Sequence, residues 1–257
     1  MANEKRDPAV IVVPRTGGDI IVRQFRPSDA PQIHAMLFEG LVYGPESPRN
    51  TALRRSLTSP RAYLAYTAFA LGLTTLSCSR RDLRLAGGTL CTVSLLFMLY
   101  LWRAINNLFV NFCIGARKTD MADIAKSYEI PDDISAEQGP GGFFVAAIES
   151  GEESEVVGYL GLDYHANDDP TSGELRRMIV SARHRRRKIG SLLINAAMAH
   201  ARSRSPPLLT IDLETTEFQP GAQKLYTRHG FAVVGTRVVS VGVFQATIFR
   251  FRRKVAE

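Results

Sequence analysis

Two uncharged apolar stretches interrupt a chain that otherwise alternates apolar and polar positions. Ala62 to Cys78 reads AYLAYTAFALGLTTLSC, and Leu85 to Trp102 reads LAGGTLCTVSLLFMLYLW. After Arg103 the apolar character resumes in NNLFVNFCIG, ending at Gly115. A helix in a soluble core shows a polar face over such lengths, and neither stretch has one, so residues 62–115 are expected to be a membrane-associated insertion, pictured as a helical hairpin. Each stretch lies at the short end of the roughly 17 to 25 residues that cross a bilayer. Three arrangements fit: a two-pass hairpin, one span with a re-entrant or interfacial partner, or two buried helices. Arginines flank both stretches and also lie between them (Arg80, Arg81, Arg84), so the positive-inside rule assigns no orientation.

Outside the insertion the pattern switches between the periods of strands and helices. Ile20 to Phe25 predicts a short strand, and Pro27-Ser28-Asp29 opens a helix that runs to about Gly40. Downstream, Asp120 to Tyr128 predicts a short amphipathic helix, and PDDISAEQGPGG a loop. Phe143–Glu149, Val156–His165 and Gly173–Ser181 then read as three strands with short connections, the first turning at Gly151-Glu152-Glu153. A helix over Ile189–Arg202, a strand over Leu208–Glu214, a helix around Ala222–His229 and strands at Ala232–Ser240 and Ala246–Phe251 complete the chain. The result is an α/β fold with a mixed sheet. Residues 1–50 are expected to supply the first strand and helix of the domain whose core is residues 119–257, with the apolar insertion between them.

Composition narrows the partners. The chain has 257 residues and a formal net charge of +7, which suits an acidic partner: a nucleic acid, an anionic lipid surface or an anionic cofactor. The three cysteines, Cys78, Cys91 and Cys113, all fall in the apolar third and form no CxxC pair, and no grouping of His, Cys and carboxylate points to a metal. The N-terminus MANEKRDPAV is polar, so no cleaved signal peptide is expected. With marginal span lengths, the thin bilayer of the endoplasmic reticulum is the membrane that fits.

The chemistry concentrates at ARHRRRKIG, Ala182 to Gly190, between the strand LRRMIVS and the Ile189 helix. A basic strand-to-helix turn aims unpaired N–H groups and a helix N-terminus at one spot, which is a place to hold phosphate. Arg183, Arg185, Arg186 and Arg187 could reach a phosphate held there. The plainer reading is a solvated loop or a nucleic-acid contact. The latter needs aromatic residues between the charges, and the run has none, so nucleic acid is not expected as a partner.

These motifs resemble the GNAT superfamily of acetyl-CoA-dependent N-acetyltransferases, and within it the membrane-associated N-acetyltransferase 8 or Camello-like group. The resemblance covers nearly the whole chain: RQFRPSDAPQI, the apolar insertion, TDMADIAKSY, ARHRRRKIGSLL and LETTEFQPGAQKLYTRHGF. It implies acetyl-CoA as cosubstrate, bound by backbone N–H groups and side chains of Arg185, Arg186, Arg187, Lys188, Ile189, Gly190 and Ser191. Lys188 stands where the family turn has its middle glycine. Met178, Ile179 and Val180 would pair with the pantetheine arm like an added strand, the sheet splaying beside them. Gln219, where relatives often carry Asn, would bond to pantetheine or to the loop backbone.

The resemblance also implies a catalytic role for Tyr226, as the general acid for the leaving thiolate; its plainer reading is a helix aromatic packed on the sheet. A general base is needed for the acceptor amine. Glu174, at the start of the strand before the turn, is the first candidate and His165 the second, with Asp163 and Glu214 behind them; a solvated edge glutamate is the competing reading of Glu174. Cys113 lies in an apolar run without a base beside it, so transfer is expected to be direct. Family relatives act on cysteine S-conjugates or protein lysines, so the acceptor is expected to be such an amine or another small one. The alternative function is an inactive module of the same fold that binds CoA or a membrane surface.

Overall fold

The computed structural model describes residues 11–13, 19–130, 142–150, 153–165 and 169–256. In chain order the elements are β1 (Ile11–Val13), β2 (Ile20–Gln24), α1 (Ala30–Phe38), a π turn (Glu39–Tyr43), α2 (Pro48–Leu57), α3 (Pro60–Leu76), α4 (Arg81–Lys118), α5 (Ile124–Ser127), β3 (Gly142–Ser150), β4 (Glu153–Asp163), β5 (Ser172–Val180), α6 (Ile189–Ser203), β6 (Thr210–Thr216), α7 (Pro220–Arg228), β7 (Ala232–Val241) and β8 (Phe244–Lys254). The eight strands form one mixed sheet in the order β1-β2-β3-β4-β5-β6-β8-β7. Only the β5–β6 pair is parallel.

Strand β2 joins the sheet by pairing with β3 from Ile20↔Ile148 to Gln24↔Phe144. Both faces of the central strands are covered. Val157, Leu160 and Leu162 of β4 pack in the core beneath α6, while Val156 and Tyr159 pack with residues of α1 and α4. That double burial explains why β4 reads as a nearly continuous apolar run. In α6, Ile189, Leu193, Ile194, Ala197 and Ala201 recur at helical spacing and supply the face that rests on the sheet.

Several local expectations change. The helix expected over Asp120–Tyr128 is only the single turn α5, because the side chain of Asp120 is drawn off to Arg177 and Tyr128 and the helix starts afresh at its cap, Asp123. Gly151 and Glu152 of the expected turn, and all of the PDDISAEQGPGG loop but its last residue, lie outside the described residues. Helix α2 was not read from the sequence, although Ser47 caps it by accepting from the Asn50 N–H at 3.2 Å and Pro48 opens it.

The two apolar stretches do form antiparallel helices, α3 and α4, joined by a short turn. A Cβ added at Gly72 would stand 2.6 Å from Cys91 Sγ and 2.8 Å from the Gly87 carbonyl, so small residues set this close crossing. A pair of membrane spans is not what results. Among the described residues α4 alone is long and apolar enough to cross a bilayer, with a mean hydropathy of 1.7 over its best window. With 17 residues, α3 rises roughly 25 Å, short of a hydrocarbon core about 30 Å thick. Helix α4 runs without a break past Arg103, since no glycine or proline occurs between Gly88 and Gly115. Its later turns bury Ile105, Phe109, Cys113 and Ala116 in the core of the sheet domain.

Candidate functional site

The sheet opens between its two parallel strands. β5 and β6 pair from Ser172↔Thr210 to Leu175↔Leu213 and no further. β5 continues against β4 as far as Val180, and β6 against β8 as far as Thr216. Arg176–Val180 and Glu214–Thr216 therefore face each other across a gap; the Thr216 amide and carbonyl are taken by Gln219 and Gln223, while the far half of β5 lacks a strand partner on this side among the described residues, the kind of edge that takes an extended chain by β-addition. Met178, Ile179 and Val180, the three residues assigned to that role from sequence, form the β5 side of the gap.

The basic turn lies at the open end. A short 3₁₀ segment covers Ala182–His184, Arg186 and Lys188 have φ of 67° and 60°, and α6 begins at Ile189 with no side-chain cap at its N-terminus. Uncapped first-turn N–H groups and the positive end of the helix dipole meet there. Lys188 holds a left-handed conformation that costs a non-glycine residue roughly 1 to 2 kcal/mol and that glycine adopts freely. Gly190 has a different reason: a Cβ there would sit 2.7 Å from Leu225 and 2.9 Å from the Met178 methyl. The Arg185 guanidinium meets the carboxylate of Glu46 at 2.5 Å. Arg186 is exposed and Arg187 half-buried, while Ile189 packs inward and Ser191 Oγ lies 3.0 Å from His229 Nε2. Uncapped amides, an unpaired strand edge and clustered guanidinium groups fit the phosphates and the extended arm of acetyl-CoA.

Tyr226 is buried against Phe231 and Phe251, and its hydroxyl donates to Met178 Sδ at 3.6 Å. Burial pushes its pKa up to about 12, which keeps the hydroxyl protonated at any working pH. Glu174 is on the same strand one residue before the parallel pairing stops, in register with Asp163 on β4 and Asp212 on β6. Burial raises its pKa; Arg176 opposes this, and Glu214, Asp163 and Asp212 add to it. The result is a carboxylate made more basic than usual, as a proton acceptor requires. His165 lies beyond the end of β4, 2.7 Å from Glu129 and with 71% of its side chain exposed, so it stands apart from the gap. The Gln219 side chain accepts from the hydroxyls of Thr215 and Thr216 at 3.2 and 3.3 Å and so serves the β6–α7 loop.

Sequence reasoning missed Arg177 and Asp120. Arg177 has φ 57° and sits at a break in the β4–β5 register, between Tyr159↔Ile179 and Gly161↔Arg176. Its partner Asp120 is 57 residues away in the chain. The only available signal was the pair of adjacent arginines in a strand otherwise read as alternating. No group of three or more His, Cys, Asp and Glu suited to a metal ion occurs among the described residues.

The acetyltransferase (GNAT) family pattern matches residues 102–231, from within α4 through α7. The chain belongs to this family and is an acetyl-CoA-dependent N-acetyltransferase. It is similar to "N-acetyltransferase 8F1" of Rattus norvegicus, with 31% identity over 225 residues, 86% of this chain and 89% of the relative. The "Probable N-acetyltransferase camello" of Xenopus tropicalis is 25% identical over 90% of this chain and 94% of its own. Among solved structures, a GNAT-family acetyltransferase of Staphylococcus aureus Mu50 aligns over 92% of this chain and 99% of its own, at 14% identity and a TM-score of 0.48.

Proposed function

We propose that the chain moves the acetyl group directly to a primary amine, with Glu174 taking the amine's proton and Tyr226 serving the leaving sulfur. The carrying observation is that β5 has Glu174 beside the point where the strands part and, four residues on, Met178 against the hydroxyl of Tyr226 from α7. Bound acetyl-CoA supplies the activated thioester. In this reading a strand N–H near Ile179 and Val180 polarises its carbonyl oxygen. With a pKa near 12 against about 8.5 for a free thiol, Tyr226 acts first by hydrogen-bonding the negative charge that develops on sulfur. Its proton passes to sulfur as the amine's proton reaches Glu174, directly or through one water, and solvent reprotonates the phenolate as the products leave. The acceptor is a cysteine S-conjugate, another small amine or a protein lysine, and α4 anchors the enzyme in a membrane, the endoplasmic reticulum being the one that suits short spans.

An inactive module of the same fold would follow if lysine in the glycine position spoiled the turn, but Lys188 adopts the left-handed conformation that glycine takes freely. One assay separates the two readings. The full chain in detergent is offered labelled acetyl-CoA with S-substituted cysteines, small amines and lysine peptides. Label transfer to at least one amine class is expected; acetyl-CoA binding without transfer to any would favour the module. Alkaline carbonate should leave the protein in the membrane pellet, and release would remove the anchor from the account.

A further inference from the structure

Arg177 is the residue at which β5 changes face. Arg176 bonds Asp163 at 2.8 Å on the side of the sheet that carries Glu174, while Leu175 packs in the core beneath α6. Strict alternation would place Met178 on the side of Arg176. Instead Met178 and Val180 pack against the α6-side core, and Ile179 joins the opposite one. The extra residue is Arg177, in a β-bulge with φ 57°. Through this change of face Met178 comes beneath the Tyr226 hydroxyl and the far end of β5 borders the gap.

An arginine has no intrinsic preference for that backbone region, so something must hold it. Its Nε and Nη2 donate to the two carboxylate oxygens of Asp120 at 2.8 and 2.7 Å, with side chains only 10% and 13% exposed. The guanidinium lies 5.0 Å from the ring centre of Phe112 on α4. Asp120 also accepts from the Tyr128 hydroxyl at 2.8 Å and the Thr119 hydroxyl at 3.0 Å. Burial alone would raise the pKa of Asp120, but the bonds and charge of Arg177 outweigh it and hold the carboxyl at about 2.

We infer that Asp120, two residues past the end of α4, is a positioning residue: through Arg177 it clamps the bulge that opens the acetyl-CoA slot and turns Met178 toward Tyr226. The last turns of the membrane helix thereby set the geometry of the catalytic strand. This inference rests on placing acetyl-CoA in the gap between β5 and β6.

The test is acetyl-CoA affinity of the full chain in detergent, by calorimetry, with thermal melting recorded in parallel. Asp120→Ala leaves a buried guanidinium without its partner and should raise Kd about 10-fold or more. Two double variants then separate backbone from side chain. Asp120→Ala/Arg177→Gly lacks the ion pair, but glycine takes a positive φ freely, so affinity should return to within about 3-fold of the parent. Asp120→Ala/Arg177→Ala also lacks the pair and has no such freedom, so it should stay weak. If Asp120→Ala does not fold, the two doubles still decide. Equal affinity in both doubles, or parental affinity in Asp120→Ala while Arg185→Ala binds weakly, overturns the clamp alone. Parental affinity in Asp120→Ala and Arg185→Ala together overturns the slot assignment, and the clamp with it.

Discussion

The two halves of α4 both carry apolar residues but lie in opposite surroundings. In the first half Leu85, Val93, Leu95, Leu96 and Leu99 are all more than half exposed. In the second half Ile105, Phe109, Cys113 and Ala116 are buried at helical spacing, while Arg103, Asn107, Asn111 and Arg117 fall on the exposed side. What distinguishes them is the returning polar face after Arg103, which marks a helix that packs on one side only. Before Arg103 no such face exists, and the exposed leucines form a band suited to hydrocarbon. The second half carries Phe112 against Arg177 of β5, and under the proposed anchoring the first half would meet lipid.

The same charge placed in each half should separate them most sharply. Ile105→Asp buries an unpaired carboxylate and should cost several kcal/mol, enough to abolish the melting transition and its upward shift with acetyl-CoA. Leu95→Asp in detergent should keep both, and its cost should appear as poorer retention in membranes. If Leu95→Asp also loses the transition, the first half is buried by protein and the contrast fails. Phe109→Ala comes next, a cavity among core residues worth about 3 to 5 kcal/mol of stability by denaturant titration.

Glu174→Gln sharpens the catalytic side, with rate reduced by about 100-fold and folding unchanged. Because a base must be ionised and the pKa of Glu174 is raised by burial, the rate of the unsubstituted enzyme should fall as pH drops through a value above the ordinary carboxylate range. The Gln variant should lack that acid limb when the acceptor's own titration is accounted for. Smallest of all, Leu96→Ala in detergent should shift stability by less than about 0.5 kcal/mol, since the site is already exposed.

The sheet was largely legible because its strands are marked by turns and by apolar runs of strand length, and β3, β4 and β5 fall close to where those signals put them. The turn before α6 could be read for a local reason: strand, basic loop and helix follow within a few residues. Arg177 could not be read this way, since a bulge shifts alternation by one residue and LRRMIVS fits a regular strand equally well. Its partner Asp120 is joined to it only through tertiary structure. The continuity of α4 was obscured by Arg103, which sits on an exposed face where a charge breaks nothing.

The account turns on Tyr226 acting chemically and Arg185 acting in binding. Steady-state kinetics of Tyr226→Phe and Arg185→Ala, under conditions where chemistry limits turnover, test this directly. Tyr226→Phe keeps the ring against Phe231 and Phe251 and removes the hydroxyl, so kcat should fall about 10- to 1000-fold with KM for acetyl-CoA nearly unchanged. Arg185→Ala should do the reverse, raising KM and sparing kcat. Full turnover by Tyr226→Phe, or equal loss of stability in both variants, would contradict the assignment.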